Sequence, residues 1–277
     1  MNRRTWHSPD PPPEIRPPGW TGILRAALRG GPLILIMAVC LALMGLLRLI
    51  ERPLCGLRRP LTPGLTLFVC RAAFVLTGVS LRVRGQPMVE AGIVVANHST
   101  WFDIFALNAR QRVYFVAKQE VAGWAGIGLL AKVTGTLFIS RDRGQTLRQK
   151  AAFEARLGAG QRLLFFPEGT SSDGQRVLRF NPTLFAAAMA EGGLSVQPVT
   201  VIYTAPEGQD PRFYAWWGTA ELAPHLLHIL AAPRQGQVEV IYHPPRPIAD
   251  FADRKALAVW AEETVRAPFL ARGIGGD

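Results

Sequence analysis

The sequence predicts an α/β fold: a mixed central sheet flanked by helices, preceded by an N-terminal membrane-associated helical hairpin. Three observations carry this. From about Leu81 onward, short β-branched and aromatic runs alternate with stretches of helical period, as in a sheet covered by helices. Ahead of them, residues 30–47 (GGPLILIMAVCLALMGLL) run for eighteen positions without a charge, the lower end of what crosses a bilayer's hydrocarbon. The whole chain is apolar for a soluble protein, with 49% hydrophobic and 18% charged residues. We divide it into a disordered leader (1–19), membrane-anchoring helices (20–80) and an α/β domain (81–277).

The leader is polar and proline-rich, with Pro11, Pro12, Pro13, Pro17 and Pro18, and is expected to pack on nothing. In the apolar run that follows, Arg25 and Arg29 precede and Arg48, Arg52, Arg58 and Arg59 follow, as snorkelling anchors would. No small-residue cleavage site comes after Leu47, so the segment is expected to stay attached. Arginine on both flanks gives no orientation, which fits a monotopic or re-entrant helix. A second apolar stretch, Gly64 to Leu81, is interrupted by Arg71, so an interfacial or core-packed helix is favoured over a span. Prolines 53, 60 and 63 mark the turn of the hairpin. Cys40, Cys55 and Cys70 show no metal-ligand spacing and are read as packed thiols in a reducing compartment.

Within the α/β domain, strands are expected at Leu81–Arg84, Ile93–Ala96, Val113–Ala117, Thr136–Ser140, Arg162–Phe166, Val196–Tyr203 and Val238–His243. Helices are expected at Val121–Val133, Gln145–Leu157, Pro182–Glu191, Leu222–Leu230 and Asp250–Leu270. Pro198, inside an apolar run, suggests a distorted or edge strand. The net charge of +11, from 31 basic and 20 acidic residues, points to an anionic partner. The sequence has no zinc-finger spacing or aromatic ribonucleoprotein motif, so lipid is preferred to nucleic acid.

The chemistry centres on Asn97-His98-Ser99-Thr100-Trp101-Phe102-Asp103. A strand ending near Asn97 puts His98 on a turn, and a helix capped by Ser99 or Thr100 brings Asp103 back toward the imidazole. An imidazole oriented by a carboxylate is a general base. The alternative is that Asp103 only closes a capping box with Thr100. Arg141, at the exit of the strand Gly135–Ser140, is placed to fork onto an anion, or is a solvated surface residue. Phe166-Pro167-Glu168-Gly169-Thr170 ends an apolar strand in a charged, glycine-bearing turn. There Glu168 is placed to bind a substrate hydroxyl, or the segment is a plain turn. The sequence has no G-x-S-x-G elbow, so a serine-hydrolase mechanism gains no support.

In this order the blocks Asn97–Asp103, Gly135–Arg141, Phe166–Thr170 and Val196–Val199 resemble those of the glycerolipid acyltransferases, a likeness covering roughly Leu81 to His243. The resemblance implies transfer of a fatty acyl group, from a thioester of acyl carrier protein or coenzyme A, to the hydroxyl of a membrane lysolipid. It implies His98 and Asp103 as catalytic residues and Arg141, Glu168, Gly169, Thr170 and Asn97 as substrate-binding ones, with no metal, no cofactor beyond the thioester co-substrate and no nucleic acid. A bacterial inner membrane, with the site facing the cytoplasm, is the implied location. Many members that acylate glycerol phosphates carry arginine directly after F-P-E-G-T, where this chain has Ser171. That departure, with the run to Phe180 and the later Ala215-Trp216-Trp217-Gly218, resembles the lyso-ornithine lipid branch. Both acceptors, 1-acylglycerol-3-phosphate and lyso-ornithine lipid, stay open, with Arg176 and Arg179 available to a phosphate. A catalytically silent lipid-binding protein of the same fold is the rival class.

Overall fold

The computed structural model describes residues 6–124, 126–140, 146–189 and 193–275. Its first element, α1 (Trp20–Cys55), is long and apolar enough to cross a membrane. The charge-free run sits inside it. The helix α2 (Thr62–Thr77) turns back and packs along α1, so the two form the expected hairpin. Glu51 closes it: the buried carboxylate accepts from Leu61 N at 2.7 Å, Thr62 N at 3.1 Å and Thr62 Oγ1 at 2.9 Å. These are donors that the start of a helix leaves without intrahelical partners.

The remaining elements, in chain order, are β1 (Ser80–Arg84), β2 (Gly92–Ala96), α3 (Asp103–Asn108), β3 (Tyr114–Lys118), α4 (Ile127–Thr134) and β4 (Leu137–Ile139), followed by α5 (Thr146–Gly158), β5 (Arg162–Phe165), α6 (Ala186–Met189) and β6 (Ser195–Thr204). The chain ends with α7 (Leu222–Ala231), β7 (Gln237–Tyr242), β8 (Arg246–Pro247) and α8 (Arg254–Leu270). The single helix expected over Val121–Val133 is broken into a 3₁₀ turn (Gln119–Gly123) and α4, with Gly126 between them at φ 71°, a left-handed conformation that glycine adopts without strain. Pro182 likewise opens a 3₁₀ turn before the short α6.

The strands form one sheet in the order β1-β7-β6-β2-β5-β3-β4, with β8 on β6. It is mixed: β6, β2, β5, β3 and β4 run parallel, and β7 is antiparallel to β6. β2 is buried at every position. Its side chains alternate between two cores, Val94 and Ala96 toward the layer containing α2 and α3, Ile93 and Val95 toward the layer containing α5 and α8. Pro198 requires a correction, because β6 is the longest strand and lies between β2 and β7 rather than at an edge. The proline is tolerated because its neighbour is interrupted there, β7 ending at Tyr242 and β8 starting at Arg246. The Gln197 side chain bridges the gap, donating to Gln86 O at 2.8 Å and His243 O at 2.9 Å.

The hairpin is docked on the domain through helix ends. On α1, Gly22, Ala26 and Gly30 face the last residues of α7, so closely that a Cβ on Gly30 would sit 3.1 Å from Leu230. Arg25 and Arg29, expected to snorkel to lipid, instead cap α7. Arg25 donates to Ala231 O at 2.9 Å, and Arg29 to Leu230 O at 2.9 Å and Ala232 O at 2.7 Å. The C-terminal carbonyls of a helix attract cations, which accounts for the preference. Arg71 donates to Ala109 O beyond α3 at 2.8 Å, and Arg59 to Val133 O in the last turn of α4 at 2.8 Å. Outward, α1 exposes Leu28, Leu35, Leu43, Leu49 and Leu54. The leader also departs from expectation. Residues 6–19 touch the domain, with Ser8 Oγ donating to Asp173 at 2.8 Å and Pro11 O accepting from Arg212 at 2.8 Å.

Candidate active site

The parallel strands β6, β2, β5, β3 and β4 end on one side of the sheet, where open α/β folds place ligands. β2 delivers His98 there. Asn97 fixes the exit of the strand: its amide donates to Val201 O and accepts from Val201 N, both at 2.8 Å, so the buried side chain pairs with β6 like a further rung of the ladder. Asn97 therefore differs from its expected place at the substrate, since both polar atoms are taken by backbone. Its effect on the site runs through the position of His98.

Asp103 opens α3, and its Oδ2 collects three donors. Ser99 N lies at 2.9 Å, Thr100 N at 3.1 Å and His98 Nδ1 at 2.7 Å. The two geometries that the sequence offers as alternatives, a cap on the loop N–H groups and a contact to the imidazole, coexist on one oxygen. Since an ionised carboxylate only accepts, His98 carries its proton on Nδ1 and leaves Nε2 as the basic nitrogen. Asp103 is fully buried while the His98 side chain keeps 21% exposure, so the imidazole reaches solvent and the carboxylate does not. The ring lies on Phe166, centroids 4.0 Å apart and planes 12° from parallel, which limits rotation.

The loop after β5 grips the backbone of His98 on both sides. Glu168 Oε1 accepts from His98 N at 3.1 Å, and Ser172 N donates to His98 O at 2.8 Å. Glu168 is partly exposed as a residue, yet its carboxyl oxygen Oε2 is out of solvent. Burial pushes its pKa well above the usual carboxylate range, against the backbone N–H groups of His98 and Leu178 that favour the charge. Gly169, at φ 71°, turns the loop and presents its carbonyl to Lys118 Nζ at 2.6 Å. Thr170 follows on the same loop, half-buried. Ser171 adds no charge, and Arg176 is paired with buried Asp173 at 3.2 Å. Arg141 lies outside the described residues.

Two side chains outside the blocks Asn97–Asp103 and Phe166–Thr170, Tyr203 and His225, lie against residues of the first block. The hydroxyl of Tyr203 on β6 is buried beside the Asp103 carboxylate. Burial first, then the charge of Asp103, hold the phenol well above its ordinary range. Trp101 donates its indole N–H to His225 Nδ1 at 3.0 Å. His225 is buried, which lowers its pKa to about 4, so it accepts that bond as a neutral ring. Tyr203 ends an apolar strand and His225 sits on a short apolar helix; neither spacing carries a signal.

The sequence model of the Acyltransferase family matches residues 80–202, which hold the His98–Asp103 pair and the Glu168 loop. A lyso-ornithine lipid O-acyltransferase of Rhodobacter capsulatus is 52% identical over 270 residues, spanning 96% of this chain and 98% of its own. The chain belongs to the acyltransferase family. Within this acyltransferase group, a lyso-ornithine lipid O-acyltransferase of Pseudomonas aeruginosa is 34% identical over 88% of the chain and 93% of its own length. A 1-acyl-sn-glycerol-3-phosphate acyltransferase of Neisseria gonorrhoeae is 31% identical over 71% of the chain and 77% of its own. The crystal structure of a 1-acyl-sn-glycerophosphate acyltransferase of Thermotoga maritima shares the fold, with TM-score 0.57 at 20% identity over 88% of this acyltransferase and 98% of that chain.

Proposed function

We propose that this acyltransferase esterifies the free hydroxyl of a lyso-ornithine lipid at the cytoplasmic face of a bacterial inner membrane, taking the acyl group from a thioester of acyl carrier protein or coenzyme A. The observation that carries the chemistry is the imidazole whose Nδ1 is held at 2.7 Å by a buried carboxylate, leaving Nε2 for the acceptor. Nε2 removes the hydroxyl proton as the oxygen attacks the thioester carbonyl. The tetrahedral intermediate then collapses, the C–S bond breaks, and the imidazolium returns the proton to the departing thiolate. Asp103 stabilises the imidazolium by its charge and stays ionised throughout. We assign Glu168 to holding the His98 backbone, through the bond that its Oε1 accepts from His98 N, and so to shaping the acceptor side of the site.

The acceptor is chosen on three supports. One is the near full-length similarity to the Rhodobacter capsulatus protein. The second is Ser171, where a phosphate reader carries arginine. The third is Arg176, whose guanidinium is already paired with buried Asp173 and stands 5.7 Å over the Trp6 ring. The test is acyl transfer by the purified chain to lyso-ornithine lipid and to 1-acylglycerol-3-phosphate, side by side, with both thioesters. Higher kcat/KM on the ornithine lipid is expected; a preference for the phosphate acceptor overturns the assignment. His98→Ala should lower the rate by about 10²–10⁴, the usual worth of a general base, while keeping the wild-type circular dichroism. Substantial turnover by that folded variant removes His98 from the mechanism.

A further inference from the structure

At the other ends of the strands a cavity of about 680 Å³ opens between the hairpin turn and the sheet. Arg58 and Arg59 line it from the turn, Arg112 and Arg162 from the starts of β3 and β5, with Tyr114 beside them. In the parallel pairing Arg162 is level with Gly92, six residues ahead of His98, which places the cavity roughly 20 Å from the base at about 3.3 Å per strand residue. It is not the acyl-transfer site.

The cavity concentrates more positive than negative charge: Glu51 and Glu90 act through space on Arg59 and Arg162 but pair with neither. Arg59 and Arg156 both stand over the Tyr114 ring, 5.9 and 5.7 Å from its centroid. Among the described residues, none of Arg58, Arg59, Arg112, Arg156 and Arg162 forms a salt bridge. Glu51 is committed to Arg48 and the first turn of α2. Glu90 is close enough to act on Arg162 through space but forms no salt bridge with it. Arg59 uses one N–H on Val133 O, and Arg162 donates to Arg112 O and Val89 O, which leaves most of the five donors on each guanidinium unspent. Burial, and then the charges of Arg48 and Arg156, bring the Arg59 pKa down to about 10. An anion in the cavity relieves that repulsion.

The rim selects the source of the anion. Leu54, Leu57 and Leu61 edge the cavity or its turn, exposed at 77%, 42% and 58%, and continue the outward apolar face of α1. A phosphate that arrives on a lipid buries this rim with its acyl chains, whereas a free phosphate leaves it in water. We propose that the arginine cavity binds the phosphate of an anionic bilayer phospholipid, separately from the acylated substrate. The proposal rests on the membrane reading of α1.

The test is calorimetric titration of the full chain in neutral detergent with six-carbon phosphatidylglycerol, six-carbon phosphatidylcholine, glycerol phosphate and inorganic phosphate, all at one ionic strength. Detergent solution keeps the outcome independent of whether α1 anchors the protein. Phosphatidylglycerol is expected to bind tighter than the other three. Arg58→Gln with Arg112→Gln should weaken it by about thirtyfold, given the usual worth of each basic residue at an anionic lipid surface. Arg82→Gln with Arg84→Gln, removing the same charge from edge strand β1, should leave it unchanged. Equal affinity of the Arg58/Arg112 variant and wild type, or an equal loss in the Arg82/Arg84 control, overturns the site. Glycerol phosphate or inorganic phosphate binding as tightly as the lipid overturns the lipid as its source. A rise in KM for acyl carrier protein thioester in the Arg58/Arg112 variant, with lipid binding intact, overturns the proposal in favour of protein docking.

Discussion

Glu168 shows how one side chain both holds the site and costs stability. Its folded pKa lies well above the value of 4.5 ordinary for the residue, so the folded state keeps a proton that the unfolded chain has lost. The stability linked to that proton is complete below about pH 4.5 and is lost as pH rises toward the folded value. Glu168→Gln keeps an oxygen for the His98 N–H and removes the titration. We therefore expect wild type to lose stability relative to this variant as pH rises above about 4.5, read as the difference between their Tm values. Parallel Tm profiles would sink the argument. Ser171 carries the other prediction at this scale. Ser171→Arg should shift the ratio of kcat/KM values toward 1-acylglycerol-3-phosphate, because the added guanidinium favours the phosphate and repels the ornithine ammonium. An unchanged ratio means position 171 does not read the headgroup. The base pair was legible in the sequence because its geometry is local, five residues across a turn. Asn97 was misplaced because its partner, Val201, lies 104 residues away.

Elements were legible where apolar runs are continuous and less so where a single residue decides. β2 and β6 follow from their apolar runs, but β8 is only Arg246 and Pro247 and exists because β6 extends past the end of β7. The arginines flanking α1 carry the largest change in reading. In sequence they match lipid anchors, and only the position of α7 shows that Arg25 and Arg29 complete a helix C-terminus. Arg29→Ala removes two charge-assisted bonds and should cost about 2 kcal/mol, measured by denaturation in detergent. If stability is unchanged, water satisfies those carbonyls equally well and the arginine is free to serve lipid.

Taken whole, the molecule joins its hairpin to its domain through a shared core. Leu33 from α1, with Cys70, Ala73 and Phe74 from α2, packs in the same cluster as Val94, Leu164 and Val199 of the sheet. Deleting residues 1–80 should therefore yield an aggregated remainder, seen by size-exclusion chromatography. A monodisperse, folded truncation would show that the hairpin is only an appendage. The order of the strands has a further consequence in time. β2, made early, is held between β5 and β6, and β6 starts only at Ser195. At about 5–20 residues per second, roughly 5–20 s of synthesis separate the strand before His98 from its second neighbour. Through that interval both hydrogen-bonding edges of an entirely apolar strand begin unpaired, beside a helix already suited to a bilayer. The expected result is a window in which an unpaired apolar strand of the growing chain is open to aggregation, checked by whether slower expression raises the soluble yield.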